Sequence, residues 1–218
     1  MNFIASKIIK PLHQRFNQQN RVRLIGQTIS ELLPESKTLT GLDVGCGDGR
    51  IAASLMKRRP QIQICGADVA VRLNVAIPTT KISDSGLPFP DNSFDFILLI
   101  DVLHHLTNPE SLLLECRRVA SAFIIVKDHY CEKRSDRWRL RLLDWLGNRG
   151  DNIALPYNYF SAEQWRKIFK QYALNMVEHK SRMKIYCSVL SVFFPDRLHF
   201  AAKLTLNKFF DGKRVPAS

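Results

Sequence analysis

The sequence predicts an α/β fold in which helices cover both faces of a mainly parallel sheet. Apolar stretches of strand length alternate with stretches whose apolar residues recur every three to four positions. One stretch, FDFILLI at 94–100, is apolar almost throughout, as strands buried on both faces tend to be. Crossovers between parallel strands are right-handed, so the alternation also predicts their hand.

The first forty residues predict helices that precede the sheet. One helix is expected over 3–12 and another over 20–33, where Ile25 and Ile29 belong to a row of apolar residues at helical spacing. Pro34 ends the second helix because proline cannot continue the helical hydrogen-bonding pattern.

The segment LDVGCGDGR at 42–50 predicts a buried strand that enters a tight turn. Gly45, Gly47 and Gly49 fall within five residues, and such a turn lets the backbone approach a nucleotide closely. A helix that stops before Pro60 is expected next, and the sequence QIQICGAD then predicts a second strand.

A further helix is predicted from its start signals. Asn108 is suited to cap the helix and Pro109 to occupy its first position. The remaining expected elements are a buried strand, a helix and two closing strands, near 121–128, 161–172, 174–181 and 198–207.

A long insertion separates the strand SAFIIVKD from the helix that follows it. It spans 129–160, and Trp138, Leu142 and Trp145 fall on one helical face within it. Because the insertion leaves the carboxyl end of a sheet strand, it is expected to form a substrate lid. The alternative is an insertion that only packs against the domain.

The composition predicts a single domain over 1–218, with an N-terminal helical segment at 1–40. The chain has 218 residues and 45% hydrophobic content, enough for a sizeable core. No apolar run has the length of a membrane span, and the N-terminus lacks the pattern of a secretory signal. Five cysteines without metal-ligand spacing indicate a reducing compartment, so a cytoplasmic location and no metal site are expected.

The net charge of +12 is concentrated in the flanks. Residues 1–40 carry +4, residues 41–130 carry −1 and residues 131–218 carry +9. This distribution, with the apolar stretch at 185–195, predicts contact with an anionic membrane surface such as the inner face of the membrane. The alternatives are a solvated basic face with no partner and an apolar stretch that packs in the core.

Three acidic residues near the glycine turn indicate which nucleotide it binds. Asp43 lies inside the first strand, and Asp68 ends the second strand at the position of a carboxylate that grips ribose hydroxyls. Asp84 follows, and an ionised carboxylate there accepts hydrogen bonds from an exocyclic amine such as that of adenine. A pyrophosphate would favour cationic donors, so these acids favour an adenosine with free hydroxyls.

The segments LDVGCGDGR, GADVA and SDSGLPFPDNSFDFILLIDVLHHLTNPESLLLECRRV resemble the class I S-adenosylmethionine-dependent methyltransferases, in particular the UbiE-like, methyltransferase type 11 group. The resemblance covers residues 20–130. It implies a Rossmann-like three-layer sandwich with a seven-stranded sheet of order 3-2-1-4-5-7-6, whose last strand is antiparallel. It also implies S-adenosylmethionine as cofactor and S-adenosylhomocysteine as product.

The same resemblance assigns roles to residues around the turn. It implies that the first strand and the turn shape the methionine pocket, that Asp68 binds the ribose, and that Asp84 and Ser85 bind the adenine. Ile100 and Asp101 would face the methionine and methyl end. The full cofactor-binding set is Asp43, Gly45, Cys46, Gly47, Asp68, Val69, Asp84, Ser85, Ile100 and Asp101. Two features depart from related enzymes: the Lys-Pro-Gly-Gly turn before the fifth strand is missing, and DVLHH replaces the Asn-Pro-Pro-Tyr motif of amino-group nucleic-acid methyltransferases.

Four residues are candidates for catalysis. Methyl transfer from a sulfonium is an in-line displacement, so the protein aligns the nucleophile and, where needed, removes its proton. His104 and His105 follow the fourth strand, while Asp128 and His129 end the fifth. The alternative is that these side chains pack under the cofactor or anchor loops.

Two functions of different classes remain open at the level of the sequence. The first is methylation of a small, apolar or amphipathic acceptor such as a quinone or lipid, favoured because the insertion and tail are apolar. The second is methylation of RNA or protein, with the basic flanks holding a polyanion, although no RNA-binding module is visible. A third alternative is a non-catalytic protein that binds S-adenosylmethionine. The sequence makes no prediction of the oligomeric state.

Overall fold

A computed structural model describes residues 10–35, 37–83, 86–106, 108–147, 157–186 and 189–207. Within these ranges the helices are α1 (Lys10–Leu32), α2 (Arg50–Arg58), α3 (Pro109–Val119), α4 (Arg134–Gly147), α5 (Ala162–Gln171) and α6 (Val189–Phe193). The strands are β1 (Leu39–Val44), β2 (Ile62–Asp68), β3 (Thr79–Lys81), β4 (Phe94–Ile100), β5 (Ala120–His129), β6 (Leu174–Ser181) and β7 (His199–Leu206).

The seven strands form one sheet with the order β3-β2-β1-β4-β5-β7-β6. The first five strands pair in parallel, and β7 lies antiparallel to both β5 and β6. The fold predicted from the resemblance is therefore confirmed. The residue pattern alone did not indicate β3, because a three-residue strand is too short to show periodicity.

The N-terminal segment differs from the prediction of two helices. The described part of it is one continuous helix from Lys10 to Leu32, whereas residues 1–9 lie outside the described range. No glycine or proline stands between Leu12 and Leu24 to interrupt it. Ile25 and Ile29 are fully buried and pack with α2 on one face of the sheet.

Both faces of the central strands are covered. Alternate residues of β4 point to opposite sides, so that Ile97 and Leu99 belong to one apolar cluster while Phe96 and Leu98 belong to the other. Two caps confirm the predicted helix starts: the Asn108 side chain accepts from the Glu110 amide at 3.1 Å, and Ser161 forms a capping box at α5.

Two helices, α4 and α6, lie in connections at the carboxyl edge of the sheet, where the parallel strands end. His129 at the end of β5 pairs with His199 at the start of β7, so α4 and α6 both lie in connections made at this edge. Cys131 donates its amide to the Phe160 carbonyl at 3.0 Å, which closes the base of the insertion. None of the helices in the described ranges has the length and apolar character needed to span a bilayer.

Candidate functional site

The glycine turn after β1 has one open position between two packed ones. Gly45, Gly47 and Gly49 have φ values of 71°, 58° and 70°, which favour glycine. A Cβ atom on Gly45 would lie 2.6 Å from Val102, and one on Gly49 would lie 2.7 Å from Ile77. A Cβ atom on Gly47 would meet no atom of the described residues within 4 Å, so among these residues the backbone at Gly47 is accessible to a ligand.

Asp68 is fixed beside this open position. Its two carboxylate oxygens accept from the amides of Gly47 at 2.8 Å and Ala70 at 2.9 Å. Each oxygen retains a lone pair that can accept from a hydroxyl. Val69 follows with an exposed side chain, whereas the Cys46 thiol lies against Thr79 at 3.6 Å and points into the sheet.

Asp43 is a buried carboxyl group with unused hydrogen-bonding capacity. In the part of the chain that the structure describes, its Oδ1 atom has no hydrogen-bond partner. Burial and the nearby carboxylates of Asp68 and Asp48 raise the pKa of Asp43 to about 8. A cationic or hydrogen-bond-donating ligand group would therefore gain a strong acceptor here.

Two of the residues predicted to contact the cofactor, Ile100 and Asp101, lie at the end of β4. Ile100 is buried, and Asp101, with a φ of 56°, follows it. Asp101 Oδ2 accepts from Arg21 at 2.5 Å, and its Oδ1 forms an ion pair with the buried Lys127. Burial opposes ionisation, but Lys127, His129 and Arg21 hold the Asp101 pKa well below its usual range. Asp84 and Ser85 lie outside the described residues.

His104 is held in a buried network at the same edge of the sheet. Its Nδ1 atom lies 2.7 Å from Asp128 Oδ1, and its Nε2 atom lies 3.6 Å from Asp144 Oδ1. The Tyr159 hydroxyl donates to Asp144. Although burial disfavours the imidazolium, Asp128 and Asp144 raise the pKa of His104 to about 10, so this ring is charged at neutral pH.

His105 and His129 are neutral neighbours of this charged ring. The His105 and His104 ring centroids lie 4.0 Å apart, and burial together with the His104 charge lowers the pKa of His105 to about 4. Burial and Lys127 also lower the pKa of His129. His129 Nδ1 lies 3.4 Å from Asp128 and 3.7 Å from Asp101, and has no hydrogen bond within the described residues. The structure thus brings the four predicted catalytic residues together and divides them by charge.

Comparison with known proteins identifies the family. Residues 13–179 match the family model described as a methyltransferase domain. This chain belongs to the methyltransferase family. The predicted resemblance to UbiE-like class I enzymes is confirmed as well, since the methyltransferase is 28% identical over 158 residues to the ubiquinone/menaquinone biosynthesis C-methyltransferase UbiE of Cupriavidus taiwanensis.

A second relative and one solved structure are also similar to this chain. The methyltransferase is 35% identical over 101 residues, 38% of its length, to an uncharacterized methyltransferase of Schizosaccharomyces pombe. The matched region covers 36% of the length of that relative. For the Cupriavidus relative, the match covers 63% of this chain and 65% of the relative. A SAM-dependent methyltransferase from Aquifex aeolicus has the same fold, with a TM-score of 0.60, 18% identity, and coverage of 89% of this chain and 96% of that one.

Several residues of the site were not found from the sequence of this methyltransferase. Arg21 and Lys127 hold Asp101, while Asp144 and Tyr159 extend the His104 network. Lys127 offered one signal, because a lysine within the apolar strand SAFIIVKD needs a buried partner. The others pair across long stretches of the chain, and no local pattern reveals them.

The arrangement of the histidine network bears on metal binding. Ligand atoms of His104, Asp128 and His129 lie within 4.8 Å of one another. However, a histidine must be neutral to bind a metal ion, and His104 is held charged by Asp128 and Asp144. A metal ion bound there would therefore have to displace the proton of His104.

Proposed function

We propose that this methyltransferase transfers a methyl group from S-adenosylmethionine to a small, apolar or amphipathic acceptor. The observation that carries the cofactor assignment is the open backbone at Gly47 beside the fixed carboxylate of Asp68. The Oδ1 of Asp43, which has no hydrogen-bond partner among the described residues, supplies a further acceptor in the same strand–turn unit. An adenosine with free ribose hydroxyls and a cationic tail matches these carboxylates in charge and hydrogen bonding.

Among the described residues, those proposed to hold the cofactor lie at or just beyond the carboxyl ends of β1, β2 and β4. Asp68 would accept from the ribose hydroxyls, and Asp43 would attract the charged methionine part. Backbone groups of the turn contribute at Gly47, whereas the side chain of Cys46 points away. The whole proposed set is Asp43, Gly45, Cys46, Gly47, Asp68, Val69, Asp84, Ser85, Ile100 and Asp101.

The cofactor, when bound, supplies an electrophilic methyl group on a sulfonium. The chain orients the acceptor and takes up its proton where one must leave. We assign the proton-accepting role to His105, which is neutral and only partly buried. His104 and Asp128 act as positioning residues, and His129 is a second neutral imidazole deeper in the site.

The nature of the acceptor is proposed from two kinds of support. The Cupriavidus relative is named as a C-methyltransferase of ubiquinone and menaquinone biosynthesis, which are amphipathic molecules. Residues 157–160, which border the histidine network, include the aromatic residues Tyr157 and Tyr159. Methylation of RNA or protein, and binding without catalysis, remain the alternatives.

Calorimetry with S-adenosylmethionine and S-adenosylhomocysteine tests the cofactor assignment. Asp68→Ala should weaken binding about 10-fold to 150-fold, because a charged hydrogen bond contributes about 1.5–3 kcal/mol. Glu163→Ala is the control, since Glu163 is exposed and pairs with Lys167 on α5. Unchanged affinity in Asp68→Ala would contradict the assignment.

Salt distinguishes the acceptor classes. Methylation of a small quinone should change little between low and physiological salt, whereas binding of a polyanion should weaken steeply. Transfer of labelled methyl groups to the RNA fraction of a cell extract, with none to the lipid-soluble fraction, would exclude the small acceptor.

A further inference from the structure

Helix α4 carries its aromatic residues outward and its acidic residues inward. Asp136, Leu140 and Asp144 form the buried row of the helix at four-residue spacing. Trp138 and Trp145, one heptad apart, are 60% and 49% exposed. This is the reverse of the usual arrangement, in which apolar side chains face the core.

The inward row is fixed by specific partners. Arg197 forms two hydrogen bonds with the Asp136 carboxylate, both at 2.7 Å. Asp144 accepts from Tyr159 and lies beside His104. Leu140 packs against Leu198 and Tyr159 in a small apolar cluster. The outward position of the two tryptophans is therefore built into the packing of the helix.

Arginines surround the exposed tryptophans. Arg134, Arg137 and Arg141 are exposed on the first two turns of α4, which include Trp138 and precede Trp145 by one turn. Across the described ranges, neither Arg134 nor Arg137 forms an ion pair, while Arg141 lies over the Tyr157 ring at 4.8 Å. The outer face thus presents positive charge and aromatic area together.

A second apolar contribution comes from α6 at the same edge of the sheet. Val192 and Phe193 are 72% and 48% exposed. The other described members of the apolar stretch at 185–195 do not behave alike: Ile185 and Phe194 are buried, and the stretch is therefore partly core. Residues 187 and 188 lie outside the described range.

We propose that the outer face of α4, together with the exposed tip of α6, docks onto an anionic phospholipid surface. Arginine attracts the anionic headgroups, and tryptophan favours the boundary between water and acyl chains. A polyanion such as RNA would account for the arginines but leaves the exposed Val192 and Phe193 without a role. Docking at the carboxyl edge places the site beside the bilayer, where an amphipathic acceptor resides.

Vesicle sedimentation of the whole chain tests this surface. The probes are vesicles of phosphatidylcholine alone and of phosphatidylcholine with phosphatidylglycerol, each at low and physiological salt. The unmodified protein should pellet with the anionic vesicles. Arg134→Gln/Arg137→Gln should bind about 30-fold more weakly, since each basic residue at the surface contributes about 1 kcal/mol. Trp138→Ser should lose about tenfold, because it removes the apolar contact.

A matched control removes the same charge elsewhere. Lys57→Gln/Arg58→Gln changes two exposed residues at the end of α2, which runs away from the carboxyl edge. This variant should pellet like the unmodified protein. An equal loss in the control, or no pelleting of the unmodified protein, would overturn the proposal. Loss in the arginine variant with none in Trp138→Ser would also overturn it, because the attraction would then be electrostatic alone and would not involve the aromatic face. Thermal unfolding of each variant checks that the fold is retained.

Discussion

Gly47 differs from Gly45 and Gly49 in the space beside it: among the described residues, a side chain would point into open space at Gly47 and into packed side chains at the other two. Alanine at any of the three positions adopts an unfavourable positive φ, which costs about 1 kcal/mol. Gly47→Ala should therefore be only slightly less stable, yet bind S-adenosylmethionine poorly, because its methyl group enters the open side of the turn. Gly45→Ala should lose more stability, because its Cβ also meets Val102. Thermal unfolding and calorimetry separate the two effects, and normal affinity in Gly47→Ala would contradict the position of the ligand.

The raised pKa of Asp43 predicts proton release on cofactor binding. With a pKa of about 8, the carboxyl group is mostly protonated at pH 7, and a cation bound beside it lowers that pKa. Binding at pH 7 should release nearly one proton, measured by calorimetry in buffers of different ionisation enthalpy. Asp43→Asn should release none from this site. Equal release by both proteins would assign the proton to another group.

Asp43 also predicts a dependence of stability on pH. A carboxyl pKa raised in the folded state gives a contribution that is complete below the ordinary value of 3.8 and is lost as the pH rises through about 8. Asp43→Asn should therefore gain stability relative to the unmodified protein as the pH rises from 4 to 8. Urea unfolding across this range measures the difference, and a constant difference would contradict the raised pKa.

His104 also makes the protein less stable as the pH rises, but over a higher pH range than Asp43. Its folded pKa of about 10 lies above the ordinary 6.5, so its stabilisation is complete below pH 6.5 and is lost as the pH rises through 10. The free energy of unfolding should fall across that window, and His104→Gln should remove most of the fall. A slope that is the same in both proteins would show that other groups titrate there.

At the scale of elements, α4 shows what sequence periodicity can and cannot predict. The spacing of Trp138 and Trp145 correctly predicts one helical face, but it does not predict that this face points outward. The buried face is set by Arg197, Tyr159 and His104, which lie far away in the chain. Such pairings leave no local periodic signal, whereas the caps at α3 and α5 depend on adjacent residues and were predictable.

The predicted lid can be tested at this scale. The predicted lid, 129–160, includes His129 of β5 and Tyr159 of the His104 network, so the replacement should be confined to residues 133–156. A Gly/Ser linker there should leave cofactor affinity within about threefold and abolish methyl transfer. Loss of cofactor binding as well would show that the segment is part of the core. The unmodified chain and Glu163→Ala serve as controls for folding and affinity.

For the whole molecule, the sheet was predictable to the extent that its strands are long and apolar. The order of the strands came from the resemblance of motifs around the glycine turn, and the structure has the same order. The net charge of each segment was less informative about the basic surface, because it does not show whether a charged side chain points outward or inward. Arg21 contributes to the basic N-terminal flank, yet it points inward to Asp101, eighty residues away.

Asp144 connects helix α4 with the histidine network. The outer face of α4 meets the surroundings, while this single carboxylate on its inner face helps keep His104 charged. A shift of the helix by even one turn would leave the imidazole with one acidic neighbour instead of two, and its proton would be held less tightly. The protonation of His104 therefore depends on the position of α4 as well as on the adjacent strand.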